Sequence, residues 1–321
     1  MKRKYLLPQK GSFYKANLHC HSTVSDGRLT VEQLKEEYKK RGYSVVAFTD
    51  HNTYCMHDEL NDDGFLAICG YEVDACEEGS WANKKVCHLN VYDKHPSPDK
   101  SAVLLSACAD YRDKAAINDY IRKMTDDGFL VCYNHPEWSL ERYPDYMPLD
   151  GFFAMEIFNT GCVTEGNYDF NTQAYEDMLR AGKRVFAVAA DDNHNGFPLD
   201  SVRCDSFGGH VQIKSPSLGY DDIMTALERG DFYASTGATV EELYVEDGRV
   251  HLKTSGAKAV YCRSNCRAQE FAVAEKGKTI TECSYRILPE MDYMRFEVID
   301  SLENRAFTRA YFRDELAVDD D

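Results

Sequence analysis

The sequence predicts an α/β protein with a mainly parallel sheet, followed by a smaller antiparallel β-domain. Strand-like and helix-like segments alternate through the first two thirds of the chain. Continuous apolar runs such as SVVAFT are typical of buried strands. After about Gly237 the pattern changes to short alternating segments. We therefore expect a large α/β domain over residues 1–237, with an open or closed sheet, and a small β-rich domain over residues 238–321.

The helices and strands of the large domain follow from local patterns. The segment TVEQLKEEYKKR, residues 30–41, is amphipathic and stops at Gly42. Further helices are expected over residues 113–126, 171–181 and 220–229. Apolar or β-branched runs predict strands over residues 14–19, 44–49, 65–73, 85–92, 129–134, 152–158, 184–190 and 208–214.

The small domain is predicted from turn signals such as EDG, SGA and EKG between short alternating segments. It could cover one side of the large domain or form a dimer contact, and the sequence leaves both open. The acidic residues 319–321 are expected to lack structure. Strands are expected over residues 240–245, 249–254, 259–263, 270–274, 284–288 and 293–300.

Composition narrows the classes of partner and location. The chain has 37 Lys and Arg against 54 Asp and Glu, a net charge of −17, which argues against a nucleic acid polymer as partner. No apolar stretch is long enough to cross a bilayer, and MKRKYLLPQKG does not resemble a secretory signal. The 12 cysteines are scattered without a CxxC pair, which predicts reduced thiols in a cytoplasmic protein.

The distribution of histidines and carboxylates predicts a metal site. Of ten histidines, six follow predicted strands or lie within one, near carboxylates. Parallel βα units place their strand ends on one rim, so these residues should converge there. In the two short motifs HxH and DxH, extended backbone directs both side chains to the same face. The segments are NLHCHSTVSDG, FTDHN, GYEVD, VCHLNV, YNHPEW and AADDNHN.

Imidazole and carboxylate together suit Zn, Mn or Fe, and six histidines with several carboxylates exceed the needs of one ion. Two or three metals fit the number of ligands, and closely spaced metals can act together on one displacement. Each motif alone is weak evidence, since an isolated HxH is commonly a packing or surface pair. The other histidines lack this context and are expected to have packing or surface roles: His57, His95, His210 and His251.

The order H-x-H-(x4)-D, TDH, a Glu after an apolar strand, two single histidines and a late D-x-H resembles the PHP (polymerase and histidinol phosphatase) family. The resemblance covers about residues 13–237, and the run FGGHVQIK…ALERGDFYASTGATVEEL resembles members with a β-rich C-terminal domain. It implies a distorted (β/α)7 barrel with a two- or three-metal centre at its C-terminal rim. His210 departs from the aromatic residue that similar proteins tend to have after the GG.

The resemblance also implies the metal ligands. The first metal would be held by His19, His21, Glu72 and Asp192, the second by Glu72, His88 and His135, and the third by Asp26, His51 and His194. Asp191 competes with Asp192, which is preferred because it gives the D-x-H spacing. Asp50 would orient a ligand histidine, and Arg203 would contact phosphate unless it forms only a surface salt bridge. Asn134, Trp138 and Asn159 would shape the pocket.

The expected function is a metal-dependent phosphoric ester hydrolase that attacks a small phosphorylated metabolite or nucleotide through a metal-bridging hydroxide. A second hypothesis keeps the metals but gives them a carbamate, ester or amide. A third is a binding module with a degenerate metal site, which the presence of all nine candidate ligands argues against. The sequence leaves a homo-oligomer open.

Overall fold

The structure is a computed structural model that describes residues 3–317, so the predicted acidic tail at 319–321 lies outside the described part. Most strands fall within a few residues of the predicted ones. The strands are β1 Lys4–Tyr5, β2 Ser12–Asn17, β3 Val45–Phe48, β4 Leu66–Cys76, β5 Val86–Asp93, β6 Phe129–Tyr133, β7 Ala154–Asn159, β8 Phe186–Ala190, β9 His210–Ser215, β10 Phe232–Ser235, β11 Glu242–Glu246, β12 Arg249–Ala257, β13 Ala259–Arg263, β14 Phe271–Val273, β15 Ile280–Arg286, β16 Tyr293–Ile299, β17 Arg305–Thr308 and β18 Tyr311–Phe312.

The four predicted helices are all present, and shorter ones accompany them. Thr30 caps the first helix by accepting a hydrogen bond from the Gln33 amide, as a capping box does. Within residues 3–317, no helix is both long and apolar enough to cross a membrane. The helices are α1 Val31–Lys40, α2 Leu105–Cys108, α3 Lys114–Asp126, α4 Tyr143–Tyr146, α5 Thr160–Thr164, α6 Thr172–Arg180, α7 Tyr220–Arg229 and α8 Arg313–Leu316, with a 3-10 turn at Asp58–Leu60.

The strands form one long sheet and one short one. The long sheet has the order β14-β13-β16-β17-β10-β9-β2-β3-β4-β5-β6-β7-β8, with β18 beside β16. The short sheet has the order β1-β11-β12-β15. The protein is therefore a mixed α/β fold with a β-rich C-terminal region, as the sequence predicts.

The prediction of a mainly parallel sheet is wrong. Strands β2, β3 and β4 are parallel, as are β6, β7 and β8, but β5 is antiparallel to both its neighbours, and β9 is antiparallel to β2. Only residues 77–85 join β4 to β5, which is too short for the crossover that a parallel pair needs. Because β5 is reversed, its start lies at the edge where β4 and β6 end.

That edge is where the two ends of the parallel set meet. A parallel bridge joins Cys20, beyond β2, to Asn193, beyond β8. Beside it, the His21 amide donates to the Asn193 carbonyl at 3.1 Å and the Asp192 amide donates to the His19 carbonyl at 2.9 Å. The sequence segments HCH and DDNH are thus held side by side by their backbones.

The β-rich region is antiparallel throughout its assigned pairs and has its own apolar core. This core includes Leu6 and Leu7 from the start of the chain, and β1 pairs with β11. Strand β17 pairs with β10, which makes the long sheet continuous between the two regions. The division at residue 237 remains a prediction. All 12 cysteines are free.

Candidate metal centre

His19 and His21 follow β2 and lie side by side at the shared edge of the sheet. Both rings are fully buried, and their Nε2 atoms are 3.1 Å apart. His19 Nδ1 lies 2.7 Å from a carboxylate oxygen of Glu156. A carboxylate can only accept, so His19 carries a proton at Nδ1 and directs Nε2 toward the other ligand atoms.

Carboxylates of Glu72 and Asp192 complete a first cluster around these rings. Asp192 Oδ1 lies 3.1 Å from Nε2 of His19 and 3.1 Å from Nε2 of His21. The two oxygens of Glu72 lie 3.3 Å and 3.5 Å from the same two nitrogens. Ligand atoms at about 2.0–2.2 Å from one tetrahedral ion lie about 3.3–3.6 Å from one another, so this spacing fits a shared metal ion.

One buried atom of this cluster supports the same conclusion. Among the described residues, Glu72 Oε2 has no hydrogen-bond partner, although His51 Nδ1 lies 3.1 Å away. A buried polar atom without a partner costs about 1–3 kcal/mol, and more when it is charged. A bound cation would remove that cost, so the donor set fits divalent metal.

Glu72 also anchors a second cluster with His88 and His135. Its Oε1 lies 3.0 Å from His88 Nδ1 and 3.5 Å from His135 Nε2, and it accepts a hydrogen bond from Asn134 Nδ2 at 2.8 Å. His88 reaches the edge because β5 runs antiparallel and sets His88 opposite Asp74 near the end of β4. His135 has a positive φ of 24°, a costly conformation for a residue with a side chain.

A third cluster is more exposed and joins Asp26, His51 and His194. Asp26 Oδ2 lies 3.7 Å from His51 Nε2, and its Oδ1 lies 3.5 Å from His194 Nε2 and 3.8 Å from His21 Nδ1. The Asp26 side chain is 55% exposed, in contrast to the buried Glu72. Potential ligand atoms of each of the three clusters lie within 4.8 Å of one another.

The two neighbouring aspartates point in different directions. Asp191 is saturated by hydrogen bonds from Tyr38, Thr160 and the amides of residues 207–209, which fix the loop before β9. Asp192 has a positive φ of 54° and turns toward the histidines. The geometry therefore favours Asp192 as the ligand, although its backbone is left-handed and not extended as the D-x-H argument assumed.

Asp50 has a different role from the expected one. All hydrogen bonds that the structure gives for its carboxylate come from Ser22 and Ser25, at 2.7–3.0 Å. Among the described residues, none joins it to a histidine. Asp50 therefore holds the loop that carries Asp26, and it orients a ligand only through that loop.

Glu156, in the middle of β7, has the role expected of Asp50. Besides His19, it accepts hydrogen bonds from the His135 amide at 3.2 Å and from Asn159 Nδ2 at 2.9 Å. Glu156 was not among the residues predicted from the sequence, although a glutamate inside the apolar run FFAMEIF needs a buried partner. Asp205 was also missed. It accepts hydrogen bonds from the amides of His194 and Asn195, both at 2.9 Å.

The electrostatics of the cluster favour positive charge at its centre. Burial opposes the charged form of His19, but Asp192, Glu72 and Glu156 outweigh it and hold the pKa of that ring well above its ordinary value. Burial likewise opposes the charge of Glu72, but His88 and His19 outweigh it and hold the pKa of its carboxyl well below the ordinary value. The pKa of His21 moves the other way, to about 4, because burial outweighs the attraction of Asp192 and Glu72 for a charged ring.

Seven of the nine candidate ligands line a cavity of about 580 Å³, and the buried His19 and His21 do not line it. Its lining includes two cations, Arg203 and Lys84, and Arg203 stacks on Phe197 at 3.9 Å. Trp138 and Trp81 also line it, with ring centroids 5.8 Å apart. The histidines expected to lie elsewhere do not line this cavity: His57, His95, His210 and His251.

Two named proteins are similar in sequence to part of this chain. A 5'-3' exoribonuclease of Haemophilus influenzae is 34% identical over 179 residues, which cover 54% of this chain and 60% of that protein. A phosphoribosyl 1,2-cyclic phosphate 1,2-diphosphodiesterase of Eggerthella lenta is 34% identical over 85 residues, 25% of this chain and 32% of that protein. The chain thus spans only part of the length of either relative.

A two-domain protein of Bacteroides vulgatus, described as containing a predicted PHP-like metal-dependent phosphoesterase, is a structural neighbour. It is 14% identical, with a TM-score of 0.49 over 97% of this chain and 99% of that one. The model of the PHP domain family matches residues 17–187, more than half of the chain. The protein therefore belongs to the PHP domain family.

Proposed function

We propose that this protein is a metal-dependent phosphoric ester hydrolase. The observation that carries the proposal is the set of overlapping His and carboxylate clusters that share Glu72 and His21 and open into a cavity with cations in its lining. The first two clusters are buried and the third is open to solvent. This arrangement suits catalytic metals, which must be held firmly yet remain accessible to substrate.

The proposed ligands are the nine residues expected from the sequence. His19, His21, Glu72 and Asp192 would hold the first metal, Glu72, His88 and His135 the second, and Asp26, His51 and His194 the third. A set of imidazoles and carboxylates suits Zn, Mn or Fe, so we propose two or three of these ions. When bound, they would supply an acidified water as nucleophile and positive charge for the phosphoryl oxygens.

The remaining residues would position these groups and the substrate. Glu156 fixes the ring of His19 and the backbone of His135, and Asp50 fixes the loop with Asp26. Arg203 lines the cavity, and its guanidinium would bind two phosphoryl oxygens. Lys84 would add a second positive charge on the same anion.

The proposed substrate is a small phosphorylated metabolite or nucleotide. A cavity of about 580 Å³ lies within the range of small-molecule sites, about 300–1,000 Å³. One named relative is an exoribonuclease and the other a phosphoribosyl cyclic phosphate diphosphodiesterase, which supports a phosphate ester as substrate. The paired tryptophans in the lining would offer a nucleobase a stacking surface, which favours a nucleotide.

Hydrolysis of a carbamate, ester or amide by the same metals is the second candidate. Such substrates are less charged and need no cationic residues beside the metals. Arg203 and Lys84 in the lining therefore support the phosphate ester instead.

We also propose that the bridge between Cys20 and Asn193 closes the strands into a distorted barrel. Location in the cytoplasm and the oligomeric state remain predictions.

The test combines metal analysis with a substrate panel. Protein purified without chelator should contain two to three transition-metal ions per chain, and it should hydrolyse an aryl phosphate faster than a matched carbamate or uncharged ester. His21→Ala or Glu72→Ala should abolish this turnover. His95→Ala, an exposed histidine outside the cavity, is the matched control. A metal-free folded protein, or retained turnover in both site variants, would refute the proposal.

A further inference from the structure

A second cavity lies where helix α6 meets the β-rich C-terminal region. Its volume is about 200 Å³, and it shares no lining residue with the metal cavity. Four arginines and two glutamates line it, which leaves a local charge of +2 in a chain whose net charge is −17. The charged residues are Arg180, Arg263, Arg295, Arg305, Glu176 and Glu297.

Each of the two glutamates forms short hydrogen bonds with one of the four arginines. Glu176 Oε1 accepts from Nε of Arg295 at 2.6 Å and also from its Nη2. Glu297 Oε1 accepts from Arg305 Nη1 at 2.6 Å. These contacts are charge-assisted hydrogen bonds, and they leave little acceptor capacity for the other guanidinium groups.

Arg180 and Arg263 are held only loosely. The nearest carboxylate contact of Arg180 is 3.9 Å, to Glu176, and that of Arg263 is 3.4 Å, to Glu297. Arg263 Nη1 also lies 3.5 Å from an oxygen of Gln269. Distances of this length contribute little hydrogen-bond energy, so both guanidinium groups can still bind an anion.

Arg295 provides an independent sign of a missing ligand. It is 1% exposed, and among the described residues its Nη1 has no hydrogen-bond partner. A buried guanidinium nitrogen without an acceptor is costly, and an anionic oxygen would satisfy it. The first turn of α6 adds to the attraction, since Thr172 and Gln173 line the cavity and Asn171 makes no side-chain cap.

We propose that this cavity binds a phosphoryl dianion, either inorganic phosphate or the phosphate of a small molecule. Two weakly held guanidinium groups and one unpartnered nitrogen match the charge and the several acceptor oxygens of such a group. The bound dianion would join α6 to β13, β16 and β17, and so clamp the large α/β region against the β-rich region. This site is separate from the proposed function and does not depend on it.

Calorimetric titration with inorganic phosphate tests the site. In Glu72→Ala, which disables the metal centre, phosphate binding should persist. It should weaken by about tenfold or more in Glu72→Ala combined with Arg263→Gln. Arg286→Gln in the same background is the control, because Arg286 pairs with Glu270 outside the cavity. No binding in Glu72→Ala, or equal affinity with and without Arg263→Gln, would overturn the proposal.

A second measurement, of the melting temperature, tests the site even if the double variant fails to fold. It also distinguishes inorganic phosphate from a phosphorylated small molecule as the ligand. In the metal-loaded protein, phosphate should raise the melting temperature, and Arg180→Gln or Arg263→Gln should reduce that rise. Titrated into Glu72→Ala, so that the metal centre does not compete, a phosphonate analogue of a nucleotide, which resists hydrolysis, tests for a phosphorylated small molecule. Binding of phosphate alone would assign the free ion, and tighter binding of the phosphonate would assign the larger ligand. If phosphate raised the melting temperature equally in the wild type and both variants, the proposed site would be rejected.

Discussion

Glu156→Gln should weaken metal binding although it preserves the shape of the side chain. The carboxylate uses both oxygens as acceptors: Oε1 takes the proton of His19 Nδ1, and Oε2 takes the His135 amide and Asn159 Nδ2. Glutamine has only one acceptor oxygen. Whichever way its amide turns, its NH2 group faces at least one donor, so a ligand histidine loses its support on one side.

The size of the effect follows from this geometry. Loss of the residue that supports a metal-bound histidine typically costs about 10- to 100-fold in metal affinity or activity. Such a loss corresponds to about 1.4–2.7 kcal/mol. Glu156 supports His19 in the first cluster and the backbone of His135 in the second, so we expect the upper part of that range. Affinity for both metals should fall together.

Competition with a chromophoric chelator measures the affinity, and elemental analysis gives the number of ions retained. Hydrolysis of an aryl phosphate, measured with excess metal added, separates weaker binding from impaired chemistry. Glu228→Gln is the matched control, because Glu228 is exposed and contacts Lys94 on the surface. Wild-type metal affinity in Glu156→Gln would refute the role of Glu156, and an equal loss in Glu228→Gln would make the effect non-specific.

Two further substitutions test the phosphate contact and the packing of the sheet. Arg203→Ala should raise KM by about tenfold for a phosphate ester but not for an uncharged ester, because a charge-assisted hydrogen bond is lost. Steady-state kinetics measures both KM values, with Val202→Ala as the control. Equal changes in KM for the two esters would exclude the contact. Gly209→Ala should destabilise the fold by about 1–3 kcal/mol in denaturant unfolding, because its Cβ would lie 2.4 Å from the carbonyl oxygen of Ala190. Gly196→Ala, where a Cβ meets nothing within 4 Å, is its control, and equal stability of the two variants would contradict this packing.

Local patterns predicted most helices and strands, because periodicity and caps act over a few residues. The helix expected over residues 220–229 is α7, and the amphipathic segment expected over residues 30–41 contains α1. Short strands such as β10 and β17 were missed, since four residues show too little periodicity. The direction of β5 was also missed, because pairing depends on partners distant in sequence.

For the candidate site, residue type and spacing were more informative than element boundaries. Histidines and carboxylates after strands marked the segments, the family resemblance implied which nine residues are ligands, and the structure brings these nine into overlapping clusters. Glu156 was not selected, because it belongs to no motif and precedes the edge by three residues of β7. The expectation that Asp50 orients a ligand histidine came from the family resemblance, whereas the hydrogen bonds that the structure gives for its carboxylate come from Ser22 and Ser25.

The sequence by itself determined which chemical groups this protein has, where its amphipathic helices and apolar strands lie, and that imidazole and carboxylate recur after strands. These properties depend on residue type and local periodicity. Only the tertiary structure decided that β5 is reversed, that Glu156 rather than Asp50 supports the ring of His19, and that Arg263 and Arg295 face a second cavity. Such features arise from contacts between residues far apart in the chain, and no short-range pattern specifies those contacts.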